Sequence, residues 1–254
     1  MELVLLTALG VGGATVIGAG LGFIFKNISH KFSDIVLSFA AGVMLAAAVI
    51  GLIIPSLEGG GKLGILVTVG GIFAGAFCLS MVDKLVPHLH KMAGIDIEEH
   101  GKNADLSKVL LFIIAIAIHN LPEGIAAGVA AGVGADSGDP TATLLIAGGI
   151  ALQNIPEGMV IIGPMLASGV KPRRTFLIAA MTGLVEVLGT FIGYAVSVAS
   201  AILPFALAFA GGTMLYVISD EMIPETHAHG SERGATYALL VGFSLMLVTD
   251  HLLG

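Results

Sequence analysis

The chain has 254 residues, of which 56% are hydrophobic and 11% charged, with no tryptophan and a mean hydropathy of +0.99. No water-soluble core needs so much apolar surface, so the sequence is that of an all-α polytopic membrane protein. The net charge of −7 leaves no basic face for nucleic acid, and the lone Cys78 excludes both a disulfide framework and a CxxC metal motif.

Apolar windows near the length of a bilayer crossing predict eight spans, at about 3–25, 34–57, 64–83, 107–134, 141–168, 174–199, 204–223 and 235–253. Together they form a single transmembrane domain over 1–254. The first lacks a positively charged n-region and is too long for a signal h-region, so it is expected to be a span and not a cleaved peptide. Turn residues and charges mark the breaks, as in Glu58-Gly59-Gly60-Gly61-Lys62, Asp136-Ser137-Gly138-Asp139-Pro140 and Lys171-Pro172-Arg173-Arg174. The longest polar segment, about 84–107, is expected to be a cytoplasmic loop. Small residues recur at four-residue spacing, as in Gly18 to Gly22 and Gly71 to Gly75, which lets helix backbones approach closely in lipid.

Lysine and arginine orient the spans. The loops after spans 1, 3, 5 and 7 hold ten of them, while the opposite loops hold only Lys62. Both termini are therefore expected outside and the odd-numbered loops in the cytoplasm. Spans 4 and 5 then run antiparallel.

Those two spans carry the segments that do not fit an ordinary membrane helix: IAIHNLPEG at 116–124 and IALQNIPEG at 150–158. His119 and Glu123 are four residues apart, as are Gln153 and Glu157, so each pair shares one helix face. Pro122 and Pro156 cannot donate to the carbonyls of Ile118 and Leu152. Each helix is expected to bend there and release a backbone oxygen, which hydrocarbon tolerates only where protein, water or an ion satisfies it. Glu123, Glu157 and Glu186 all fall near mid-span. An ionised carboxylate at that depth costs roughly 2.5–3.5 kcal/mol. No Lys or Arg lies at matching depth to offset it, so a bound divalent cation is the expected counter-charge. One imidazole among carboxylate and amide oxygens, with no thiolate, suits Zn²⁺, Fe²⁺, Mn²⁺ or Cd²⁺.

The paired segments resemble those of the ZIP family of divalent metal transporters, whose fourth and fifth helices carry HNxPEG and a related (H/Q/E)NxPEG. The resemblance extends over the eight spans, the outside termini, the polar loop after span 3 and the sequence DEMIPETHAHG at 220–230. It implies a 3+2+3 inverted-repeat helix bundle and a binuclear centre. His119, Glu123, Gln153 and Glu157 would hold one metal; Asn120, Asn154 and Glu186 would complete the second, with Glu123 and Glu157 as bridges. Met44 matches a family residue that faces the first metal. Gln153 stands where many members have His or Glu, a variant of the prokaryotic branch that removes one titratable ligand. The resemblance also implies a homodimer in the cytoplasmic membrane of a bacterium or archaeon, moving one helix set past another.

Glu58 and Asp250 reach the predicted outer face and are candidates for an ion entrance. Asp34, at the inner start of span 2, and Asp220, Glu221, Glu225, His227 and His229, at the inner end of span 7, are candidates to receive the ion on release. His88, His90 and His100 lie in the long loop, as a metal-sensing segment or a plain linker. The expected function is zinc or related divalent metal transport into the cytoplasm, with no prosthetic group. An intramembrane metallohydrolase and an ion channel are the alternatives. A zinc protease would show HExxH, which is missing here.

Overall fold

A computed structural model describes residues 1–24, 29–92, 102–167, 169–199 and 201–253, and the backbone alone at 83, 85–92, 102–116, 118, 119, 142, 164, 167 and 253. Eight long helical segments follow one another along these residues: α1 (Glu2–Ile24), α2 (His30–Gly59), α3 (Gly64–Met92), α4 (Lys102–Ser137), α5 (Thr141–Ala167), α6 (Pro172–Ser197), α7 (Leu203–His227) and α8 (Glu232–Leu253). Seven helices among the described residues are long and apolar enough to cross a membrane. Large apolar side chains cover the outside, among them Leu66, Phe73 and Phe77 on α3 and Leu240, Val241 and Val248 on α8. A surface of that kind belongs in lipid, and the protein is an integral membrane protein.

Local chemistry sets the helix ends. The hydroxyl of Ser29 accepts the amide of Phe32 at 3.3 Å and starts α2. Asp139 accepts both the amide and the hydroxyl of Thr141, at 2.9 and 2.6 Å, which starts α5 and holds its carboxyl below the ordinary carboxylate value. Pro172 and Pro204 occupy first-turn positions, where a missing N–H costs nothing. Gly138 and Gly230 close α4 and α7 at φ 75° and 80°, a left-handed turn that a Cβ would strain. The long loop predicted at 84–107 is partly helical, because α3 continues to Met92 and α4 begins at Lys102.

Two helices contain π-helical turns. In α2 the turn spans Ala47–Ile53, and in α7 it spans Ile218–Met222. Each ends just before a proline, Pro55 or Pro224. Pro lacks the N–H that the carbonyl four residues back would need, and its ring crowds that carbonyl. The backbone widens by a residue, so Ile54 donates to Val49 and Ile223 to Ile218, five residues back.

Packing is dominated by four pairs: α4 on α6, α1 on α5, α3 on α7 and α2 on α8. Lipid tails are as apolar as leucine, so close van der Waals fit rather than water exclusion joins these helices. Small residues supply that fit. Gly42 abuts the Leu239 carbonyl and Gly242 the Phe39 carbonyl across α2 and α8, while Gly75 and Gly212 do the same for α3 and α7. The core is correspondingly rich in alanine, with Met44, Leu52, Ile150 and Met214 its larger members. Beyond the apolar fit, Ser56 of α2 donates to the Pro204 carbonyl at 2.6 Å and pairs with Thr68 of α3 at 2.9 Å. Ser56→Ala strips this buried three-helix tie and is expected to lower unfolding stability by about 1–3 kcal/mol, read as a lower Tm in detergent, while leaving metal uptake intact.

Candidate metal centre

Both PEG segments lie inside continuous helix: α4 runs through Pro122 and α5 through Pro156. Their glycines explain how the neighbours close in. A Cβ on Gly124 would strike the backbone carbonyl of Glu186 in α6, and one on Gly158 the carbonyl of Thr15 in α1. Each PEG glycine thus seats its helix on the residue whose side chain completes the centre.

Asn120, Glu123, Gln153, Asn154 and Glu186 are all at most 2% exposed, and Glu157 is half-buried. Glu186 is the hub. Its Oε1 accepts from Thr15 Oγ1 at 2.6 Å and from Asn120 Nδ2, and its Oε2 accepts from Asn154 Nδ2 at 2.6 Å. Gln153 Nε2 donates to Glu123 Oε1 and, at 3.1 Å, to Asn154 Oδ1. Two oxygens in this polar cluster, Glu123 Oε2 and Asn120 Oδ1, are buried with no hydrogen-bond partner. Four helices, α1, α4, α5 and α6, therefore contribute to one network at their mutual contact. Glu157 has an interaction of its own, and the charges of Glu123 and Glu157 both act on Glu186.

The remaining predicted residues divide by place. The His119 side chain lies outside the described residues, and only its position on α4 is fixed. Met44 is buried in α2 within the main core. Asp34 is buried, its Oδ1 3.1 Å from His229 Nδ1 and its Oδ2 unpartnered, and the His229 ring stacks on His30 at 4.9 Å. His227 is turned to its own helix and to Thr236, at 2.8 Å from the Ile223 carbonyl and 3.2 Å from Thr236 Oγ1. Asp220 and Glu225 are exposed and Glu221 is half-buried. Glu58 is exposed and Asp250 half-buried near the far ends of α2 and α8. His88 and His90 fall where only the backbone of α3 is described, and His100 lies outside the described residues. No group of three or more His, Cys, Asp or Glu able to hold a metal ion stands together among the described residues; both oxygens of Glu186 and one of Glu123 meet amides and a hydroxyl.

Thr15 went unread in the sequence. It is one of two threonines in the apolar first span, with no motif around it, and its contact with Glu186 is what sets it apart from Thr7.

A family model described as ZIP Zinc transporter matches residues 92–250. The chain belongs to the ZIP family. Among its relatives are the zinc transporter GufA of Myxococcus xanthus, 40% identical over 98% of both chains, and the zinc transporter ZIPB of Bordetella bronchiseptica, 36% identical over 95% of this chain and 78% of that one. The zinc transporter ZupT of Chlorobaculum parvum is 34% identical over 94% of this chain and 92% of its own. The stretch matched by the ZIP model holds both PEG segments and Glu186; Thr15 and Met44 lie before it.

Proposed function

We propose that the protein carries divalent transition-metal cations, zinc foremost and Fe²⁺, Mn²⁺ or Cd²⁺ as further substrates, into the cytoplasm by alternating access around a binuclear midplane site. The observation that carries this is the burial of Glu123 and Glu186 in a helix quartet, with amides and one hydroxyl around them and no Lys or Arg anywhere from 109 to 170. Such a pair is costly in hydrocarbon and attractive to a small dication. Glu123 Oε2 and Asn120 Oδ1 are the free oxygen acceptors, and His119 would add an imidazole. Glu157 and Glu186 complete the charge, Gln153 and Asn154 add amide oxygens, and Met44 faces the first metal from α2.

The mechanism takes the eight helices as eight membrane crossings in a 3+2+3 inverted repeat, a reading that the helix pairing supports. Exchanging α1 with α6, α2 with α7, α3 with α8 and α4 with α5 turns the α4–α6 contact into α5–α1 and the α3–α7 contact into α8–α2, which are the four dominant pairs. The exchange also brings one π turn onto the other. Lysine and arginine distribution favours termini outside, in the cytoplasmic membrane of a bacterium or archaeon. A homodimer is the assembly the family resemblance implies. Glu58 and Asp250 form the entrance side in this account. Asp34, Asp220, Glu221, Glu225, His227 and His229 gather at the release side, where Asp34 already holds an imidazole.

Uptake of radioactive Zn²⁺ into liposomes holding the purified protein tests the function. Saturable uptake with counterflow is expected. An ohmic metal current would make it a channel, and flat traces from folded protein would remove the transport reading. His119→Ala is expected to weaken zinc uptake about tenfold and to reorder competition by Fe²⁺, Mn²⁺ and Cd²⁺, since it removes the one nitrogen ligand.

A further inference from the structure

We infer that the side chains of Asn120, Gln153 and Asn154, with the hydroxyl of Thr15, are a switchable donor set that takes the place of the cation while the carrier resets. The inference rests on the transport function proposed above.

The hydrogen bonds fix which way each amide points. Asn120 Nδ2 meets two acceptors, Glu186 Oε1 and the Thr182 carbonyl; Asn154 Nδ2 meets Glu186 Oε2 and the Val11 carbonyl; Gln153 Nε2 meets Glu123 Oε1 and Asn154 Oδ1. Turning any of these amides over would set oxygen against oxygen. The nitrogens therefore face the carboxylates, and with Thr15 they satisfy three of the four carboxylate oxygens of Glu123 and Glu186.

An amide is ambivalent: its nitrogen donates to a carboxylate and its oxygen ligates a metal. The same three side chains thus serve two states. With nitrogens inward they stabilise the buried carboxylates by charge-assisted hydrogen bonds. With oxygens inward they join the carboxylates around a dication. Glu123 Oε2 and Asn120 Oδ1, buried and unpartnered one helical turn apart, are the first points of attachment. Gln153 then releases Glu123 and turns its oxygen to the ion.

Net transport demands that the carrier return without cargo, whereas metal-for-metal exchange does not. Losing a donor therefore penalises net transport more than exchange. Two variants remove one donor each. Thr15→Val is near-isosteric and takes the hydroxyl from Glu186; Asn154→Asp keeps a ligand oxygen but exchanges the nitrogen for a second carboxylate oxygen, which adds a charge that the empty site must also bear.

The test compares radioactive Zn²⁺ entry into liposomes loaded with chelator, which reads net transport, with entry into liposomes preloaded with unlabelled Zn²⁺, which reads exchange. Each variant is expected to lower the ratio of net transport to exchange by about tenfold relative to wild type, the scale of one hydrogen bond to a charged group. Exchange itself reports that the variant is folded. Equal losses in both fluxes, or an unchanged ratio in both variants, would overturn the inference and leave protonation of the carboxylates as the means of reset. Wild type that supports neither flux would instead sink the transport function beneath it.

Discussion

Glu123→Ala removes saturable zinc uptake, with a loss of at least about 100-fold, the upper end of what a mere supporting partner contributes to a metal site. The reason is geometric. Glu123 sits one turn from Asn120 on α4, its Oε1 is tied to Gln153 and its Oε2 has no protein partner, so the residue offers an oxygen that only cargo or a proton satisfies. The same substitution is not expected to unfold the protein. Removing a buried carboxylate relieves its desolvation, and Tm measured in chelator is expected to stay level or rise. What disappears is the rise in Tm on adding Zn²⁺, because an ion that binds the native state alone stabilises it by an amount that grows with the logarithm of its concentration over its Kd. Glu123→Ala/Glu157→Ala is expected to show the same pattern more completely. A mutant that still takes up zinc and is still stabilised by it would place the ion elsewhere.

The second large effect concerns assembly rather than ion binding. Gly193 of α6 lies against the Ile125 carbonyl of α4, and a Cβ there would also stand 2.9 Å from Val129 N. Both neighbours are backbone in a continuous helix, so no side chain can rotate away. Gly193→Val must push α6 off α4, the pair that carries Glu186 onto Asn120. Overpacking of this kind costs about 3 kcal/mol or more, and the expected result is a large fall in Tm or failure to recover folded protein, with uptake lost alongside. Gly10→Ala is the matched control. Nothing lies within 4 Å of a Cβ at that position in α1, and the change is expected to be neutral or slightly stabilising. If Gly193→Val behaved like Gly10→Ala, the close seam between α4 and α6 would be wrong.

Much of this was legible because lipid imposes a coarse code. Each of the eight apolar windows coincides with one of the eight helices to within a few residues at most ends, and Gly18, Gly22, Gly71 and Gly75 do meet neighbouring helices. The misses have physical causes. Hydropathy marks where a helix meets hydrocarbon, not where it stops hydrogen bonding, so α3 extends past 83 to Met92 and α4 starts ahead of 107. The PEG motifs announced themselves through polar residues in apolar surroundings, and Glu186 did so through its charge. Thr15 did not, because a hydroxyl passes unnoticed in a membrane span. The π turns were equally silent: Pro55 and Pro224 signal a disturbed helix, but whether it breaks, bends or widens depends on neighbours far away in sequence.

Those two widened turns give the molecule play in a specific place. A π turn carries one residue more than the α repeat, and tightening that turn to α geometry would rotate everything beyond it by about 100° and slide it about 1.5 Å. In α2 such a step would reorient Glu58 relative to Met44; in α7, Glu225 and His227 relative to Met214. Among the described residues neither helix supplies a hydrogen bond to Glu123 or Glu186, which are gripped by α1, α4, α5 and α6. Slack and grip thus fall on different helices, so α2 and α7 have room to turn while the polar cluster held by the other four keeps its shape.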